Sequence, residues 1–424
     1  MMGRQIEAWR IGIAGLVAFA GVLTWVSSDA RSQSGSQVAQ RQSVSAADDL
    51  RVLVSQALNE DAAVNEAAIR DLRKLGPDAV NYLMGQPELR TAPRWSIVLD
   101  AVAQQMDAKY SGLYWHTDLE QALAVAKREK KPVLSLRLLG KLTDELSCAN
   151  SRFFRTTLYP NPRVRDLLAS QFVLHWQSVR AVPIITIDFG DGRQIRRTIT
   201  GNSLHLVLDE LGRPVDVLPG LYAAGAFERE LRQSAPVAVQ LAGLNGDEFL
   251  HRRAEYHQVR IQAAQATWDE HCRNAKLTGS PPLGTDHQPD LWAKVALLAQ
   301  SEPVLAGEAG RAVAEKGAPA AEVAGRIALT KMIAETPLMR MVRNVSRVIH
   351  EDSVRNEYYL HVQIHNWFVT AQPLQEREQL VGRVYSELFL SPLNDPWYGL
   401  SNPDVYSAIK NDGRINVVTQ NAGR

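Results

Sequence analysis

The chain has 424 residues, 47 basic and 46 acidic side chains, a formal net charge of +1 and 45% hydrophobic content. That length exceeds one small domain, and the near-zero charge gives no electrostatic footprint for nucleic acid or acidic substrates. Only two cysteines, Cys148 and Cys272, are present, which excludes a disulfide-rich scaffold and any four-cysteine metal site. Their separation across an expected domain boundary argues against a bridge between them.

Arg4 and Arg10 precede an uncharged apolar run from Ile11 to Val26. At about 1.5 Å per residue the run falls a little short of a ~30 Å hydrocarbon core, between a signal h-region and a minimal membrane helix. Ser28-Asp-Ala30 fits a small-x-small cleavage site. Residues 1–30 therefore read as a signal peptide or membrane anchor, with the remainder outside the cytoplasm, periplasmic or secreted. The Ser-, Gln- and Ala-rich residues 31–47 read as a disordered linker. From 48 to 110 the pattern is helical, and Ala68 to Leu83 resembles one repeat of the HEAT type, whose paired helices stack through apolar faces.

The next stretch, 111–235, carries the chemistry. Asp118 to Lys130 is an amphipathic helix with Leu119, Ala122, Leu123 and Ala126 on one face. Lys131-Pro132 stops it, Val133 to Leu138 is strand-length and apolar, and Cys148-Ala-Asn-Ser151-Arg152-Phe-Phe opens another helix. A cysteine at a helix N-terminus meets unpaired N–H groups and the positive end of the dipole, both of which favour thiolate. Asn161 to Leu168 and Ser170 to Leu174 follow as helix and strand. Leu204 to Asp209 and Gly212 to Gly220 form a strand, a Gly turn and a second strand. Ile184 to Phe189 and Arg193 to Ile199 read as an inserted β-hairpin around Gly190-Asp-Gly192.

This order resembles the thioredoxin-like superfamily, closest to the branch with a leading Ala/Lys helix followed by Lys-Pro-Val-Leu. The resemblance covers about a quarter of the chain. It implies a redox cysteine at Cys148, with Ser151 where the family has its second cysteine and Leu204 where it has a proline. A serine cannot resolve a mixed disulfide, so the implied chemistry is monothiol exchange released by an outside thiol. Ser151 and Arg152 would flank the sulfur. His205, next to the position that faces the cysteine in this superfamily, would tune it as an imidazolium or act as a base.

From 236 to 424 the pattern is mainly helical: Gly246 to Lys276, Pro289 to Gln300, Val304 to Lys316, Pro319 to Glu335, Leu338 to His350 and Gln379 to Phe389. Ser353 to Val369 fits a strand by the alternation of Leu360, Val362 and Ile364, and a helix by Leu360, Ile364, Trp367 and Phe368. His361 and His365 would share a helix face usable by a metal, but nothing at a ligand spacing completes a site. His251, His257 and His271 do not share one face and receive no role. Asp188, Asp191 and Asp209 are ordinary turn acids. No cofactor, metal or phosphate-loop motif is expected.

The expected fold is a multidomain α+β or α/β chain: a thioredoxin-like domain between an N-terminal helical segment and a mainly α-helical C-terminal domain. Two functions follow. One is an exported thioredoxin-like protein exchanging thiols through Cys148 with a protein partner or thiol substrate, and touching the membrane through residues 11–26 if these are uncleaved. The other is a non-catalytic thioredoxin-fold binding or assembly module. Oligomeric state stays open.

Overall fold

The computed structural model describes residues 49–198, 202–299, 348–370, 376–398 and 408–414. The chain divides into two compact units, 1–52 and 53–424, and only 49–52 of the first are described. The expected signal and linker segments, and the helices expected over 304–316, 319–335 and most of 338–350, lie outside the described residues. Among the described residues no helix is long and apolar enough to cross a membrane.

The unit from Leu53 onward is mixed α/β with a small mixed sheet. Its first part is helical and includes α1 (Ala62–Lys74), α2 (Pro77–Gly85) and α3 (Trp95–Ala103). Asp61 caps α1 by accepting from the Ala63 and Val64 amides, which satisfies amides that have no partner within the helix. Then α4 (Leu119–Glu129) starts under an Asp118 cap and ends at Lys130 in the left-handed region. Ala122 and Ala126, one turn apart, are its buried face.

β1 (Val133–Leu139) is buried at every position because it lies between two partners. It pairs in parallel with β2 (Val173–Arg180) and antiparallel with β5 (Ser203–Leu208), which pairs antiparallel with β6 (Pro214–Pro219). The order is β2-β1-β5-β6. A central strand covered on both faces reads as a continuous apolar run, as Val-Leu-Ser-Leu-Arg-Leu-Leu nearly does. Its exception, Arg137, reaches Glu378 at 2.8 Å and also bonds Gln177. Between β1 and β2 lie α5 (Ala149–Phe153), a π-helical turn at Phe154–Leu158, and α6 (Pro162–Gln171). The β5–β6 turn needs Gly212, whose φ is +77° and where a Cβ would come within 3.1 Å of the Leu123 side chain.

The inserted hairpin is a separate two-stranded sheet, β3 (Ile184–Asp188) with β4 (Gln194–Thr198). After the main sheet, α7 (Ala224–Leu241) runs through Pro236. Pro236 is exposed, while Phe227, Leu231, Ala235, Ala238 and Leu241 are buried at helical spacing on the other side. Burial of that face offsets the hydrogen bond that proline removes. α8 (Gly246–Asn274) and α9 (Pro289–Ala299) follow. The ambiguous segment is helical: 348–355, a π-helical turn at Asn356–Leu360, and α10 (His361–Thr370). Leu360, Ile364, Trp367 and Phe368 are buried together, so the 3.6-residue period prevails over the alternation. α11 (Arg377–Arg383) continues into a π-helical turn at Val384–Leu388. One core cluster runs from Leu113 through the sheet to Tyr398, and a smaller one gathers Trp268, Cys272, Trp292 and Tyr358.

Candidate functional site

Cys148 is the N-cap residue of α5. Its Sγ accepts from the Ser151 amide at 3.4 Å, and Ser151 Oγ donates back to the Cys148 carbonyl at 2.8 Å. Both cysteines are free and buried, and Cys148 is 0% exposed. It belongs to the main core cluster, and the loop before it is tightly held. Gly140 turns the chain out of β1 with φ +74°, where a Cβ would press on Val182 and on the Ser147 backbone. The loop is pinned from both sides. Arg152 Nη1 donates to the Ser147 carbonyl at 2.5 Å, and Arg155 donates to the Asp144 and Glu145 carbonyls while pairing with Asp107 at 3.1 Å.

Arg152 has a second task. The same Nη1 donates to Thr198 Oγ1 at 2.7 Å, fastening the end of the β3–β4 ribbon to the cysteine helix. Its guanidinium is lowered from the usual range, first by burial, against an opposing influence from Cys148.

His205 is 0% exposed on β5. Its Nε2 lies 2.8 Å from the Tyr159 hydroxyl, and its ring is flanked by Phe154 and Phe227 at centroid distances of 4.8 and 4.9 Å. Burial pushes its pKa down to about 3. The imidazole is therefore neutral at neutral pH, the form expected of a base and not of an imidazolium partner. Next along the chain, the Asn202 carbonyl accepts from the Tyr385 hydroxyl at 3.0 Å, and Asn202 Nδ2 donates to Ser391 Oγ at 3.2 Å. Tyr385 thus occupies the backbone carbonyl leading into β5, and Ser391 the Asn202 side chain.

The exposed counterpart is the β3–β4 ribbon. Ile184, Ile185, Ile187, Phe189 and Ile195 are each between 37% and 53% exposed. The register Ile185↔Arg197 and Ile187↔Ile195 sets Ile185, Ile187, Ile195 and Arg197 on one face, since strand residues alternate. Asp188 and Asp191 are turn acids as expected: they accept from the Gly190 and Arg193 amides, and Asp191 also pairs with Arg193 at 2.6 Å. Asp209 caps the β5–β6 turn and pairs with Arg213 at 2.6 Å.

A second cluster adds Asp216 and His257 to the His361 and His365 pair. Asp216 of β6, His257 of α8 and His361 and His365 of α10 are all buried. His257 Nδ1 lies 2.9 Å from His365 Nδ1, and its Nε2 is 2.9 Å from the Val215 carbonyl. His361 Nε2 is 2.8 Å from Asp216 Oδ1, which also accepts from the Val217 amide, while Asp216 Oδ2 accepts from Tyr256 at 2.9 Å. Burial would raise the Asp216 carboxyl, but His361, with His365 and His257, outweighs it and holds the group well below the usual range. Burial lowers His257 to about 3 and, with His361 beside it, lowers His365 well below its usual value.

The i, i+4 spacing of His361 and His365 was visible in sequence; the partners were not. Asp216, an acid inside the apolar strand Pro-Val-Asp-Val-Leu-Pro, was the available signal, because a buried carboxylate requires a partner. No family model matches this chain, and no curated protein or solved structure matches it either.

Proposed function

We propose that this chain is an exported, thioredoxin-like binding or assembly module, with its cysteine helix retained as a structural joint and the β3–β4 ribbon as its partner-facing element. The observation that carries this reading is an inversion of exposure. The thiol has no exposed surface, while five apolar side chains of the inserted ribbon are open to solvent. A macromolecular disulfide needs line-of-attack access to the sulfur, and a thiol buried in the core offers none. Contiguous exposed apolar surface rimmed by polar groups, by contrast, marks an interaction site.

The thioredoxin-like reading is supported by the element order around Cys148 and by the β2-β1-β5-β6 sheet with its antiparallel closing hairpin. In a thioredoxin-like protein the backbone leading into the closing hairpin is offered to a substrate. Here Tyr385 and Ser391 bond Asn202 instead. The export reading rests on Arg4, Arg10 and the apolar run from Ile11 to Val26.

The chemistry of the ribbon selects its partner. Ile185, Ile187, Phe189 and Ile195 share a face with Arg193 and Arg197, and Asp188 and Asp191 are bonded within the turn. An apolar protein segment bearing carboxylates complements that surface. Two measurements decide the matter. Iodoacetamide should label Cys148 only after denaturation, and a photo-crosslinker at position 187 should trap a discrete protein species that Phe189→Ser and Arg197→Glu remove. Native labelling of Cys148 at the rate of a free thiol would restore thiol exchange and overturn the module. An unchanged crosslink in both ribbon variants would overturn the ribbon's role.

A further inference from the structure

We infer that Asp216, His257 and His365 form a binding site for one divalent transition-metal ion of the zinc class, which braces the last strand of the sheet to α8 and α10. Their ligand atoms all lie within 4.8 Å of one another, and all three residues are buried. The donors are two imidazole nitrogens and one carboxylate. That mixture suits zinc and its neighbours, whereas calcium and magnesium take all-oxygen shells.

The hydrogen-bond pattern orients these donors inward. The Val215 carbonyl can only accept, so His257 carries its proton on Nε2 and directs the bare Nδ1 lone pair at His365. An imidazole that donates its other N–H to a backbone carbonyl is the usual support of a metal-bound histidine. Asp216 is held in turn by His361 Nε2, Tyr256 and the Val217 amide, a set of orienting contacts around one carboxylate. Without metal, a proton on His365 Nδ1 joins the two Nδ1 atoms. With metal, that proton moves to His365 Nε2, and both imidazoles stay neutral.

The geometry asks for a small closure. Ligands at 2.0–2.1 Å in a tetrahedral shell lie about 3.3 Å apart, so the Nδ1 pair at 2.9 Å must open slightly and the widest pair must close from at most 4.8 Å. Side-chain rotations supply movements of that size. His257 and His365 are 108 residues apart in sequence, so an ion at this point closes a long loop and its binding free energy becomes folding free energy.

The test uses the full chain, stripped with a chelator and then given Co2+ or Zn2+, both in the native state and during refolding. Co2+ should produce the visible absorption of a tetrahedral site, saturating at one ion per chain, and Zn2+ should raise the Tm. His257→Gln and His365→Gln should abolish the spectrum. His361→Gln, which removes a positioning contact, should weaken binding by about 10–100-fold. Replacing the exposed His251 should change nothing. The site is refuted if wild-type protein shows no saturable Co2+ spectrum by either route, or if the Gln variants, folded by circular dichroism, bind as wild type does.

Discussion

The central sheet and the β3–β4 ribbon are built from the same β-favouring apolar residues and put them to opposite use. In β1 every side chain is buried, because β2 and β5 flank the strand and helices cover its faces. In β3 no side chain is buried, because its one partner is β4. Strand propensity alone does not distinguish the two; the number of neighbours does. Apolar content in the sheet therefore supports the fold, and in the ribbon it remains available for binding.

The sharpest way to break that contrast is a matched pair of truncations. Leu136→Ala in β1 should cost about 2–5 kcal/mol, since it removes buried methyls and leaves a cavity. Ile187→Ala in β3 should stay within about 0.5 kcal/mol, as surface changes do. Urea denaturation of both variants measures the difference. A comparable loss at Ile187 would mean that the ribbon is packed in the folded protein and would remove it as a binding face.

A smaller effect probes the pH behaviour of the buried side. The pKa of His205 is about 3 in the folded chain and about 6.5 unfolded. Between these values the unfolded state binds the proton and the folded state does not. The associated stability is therefore complete above pH 6.5 and is lost progressively as pH falls toward 3. From pH 7.5 to pH 5 this group alone should cost about 2 kcal/mol. His205→Gln keeps a polar partner for Tyr159 without titrating, so its stability should fall less over that window. Denaturant midpoints at the two pH values check this, and equal slopes would show that His205 is protonated when folded.

Much of the local architecture could be read from residue patterns. Asp118, Asn161 and Asn245 cap helices through contacts two or three residues away, and Cys148 takes the N-cap position expected of it. The Gly190-Asp-Gly192 and Gly212 turns appear where their residues predict. Ser353 to Val369 was undecidable because both periods fit it, and burial against α8 and β6 selected the helix. Pro236 shows the same rule: its local cost is real, but a long buried face on the other side of α7 outweighs it.

The residues alone therefore determined most of the helices, strands and turns among the described residues, Ser353 to Val369 excepted, since caps, periodicity and turn chemistry act over a few positions. Tertiary structure decided that the Cys148 sulfur is closed off, because the residue is packed into a core drawn from distant segments of the chain. It also decided that Asp216 meets His257, His361 and His365, with His361 reaching its carboxylate across 145 positions. Contacts at that range exist only once a strand and two helices have packed, so no local pattern encodes them.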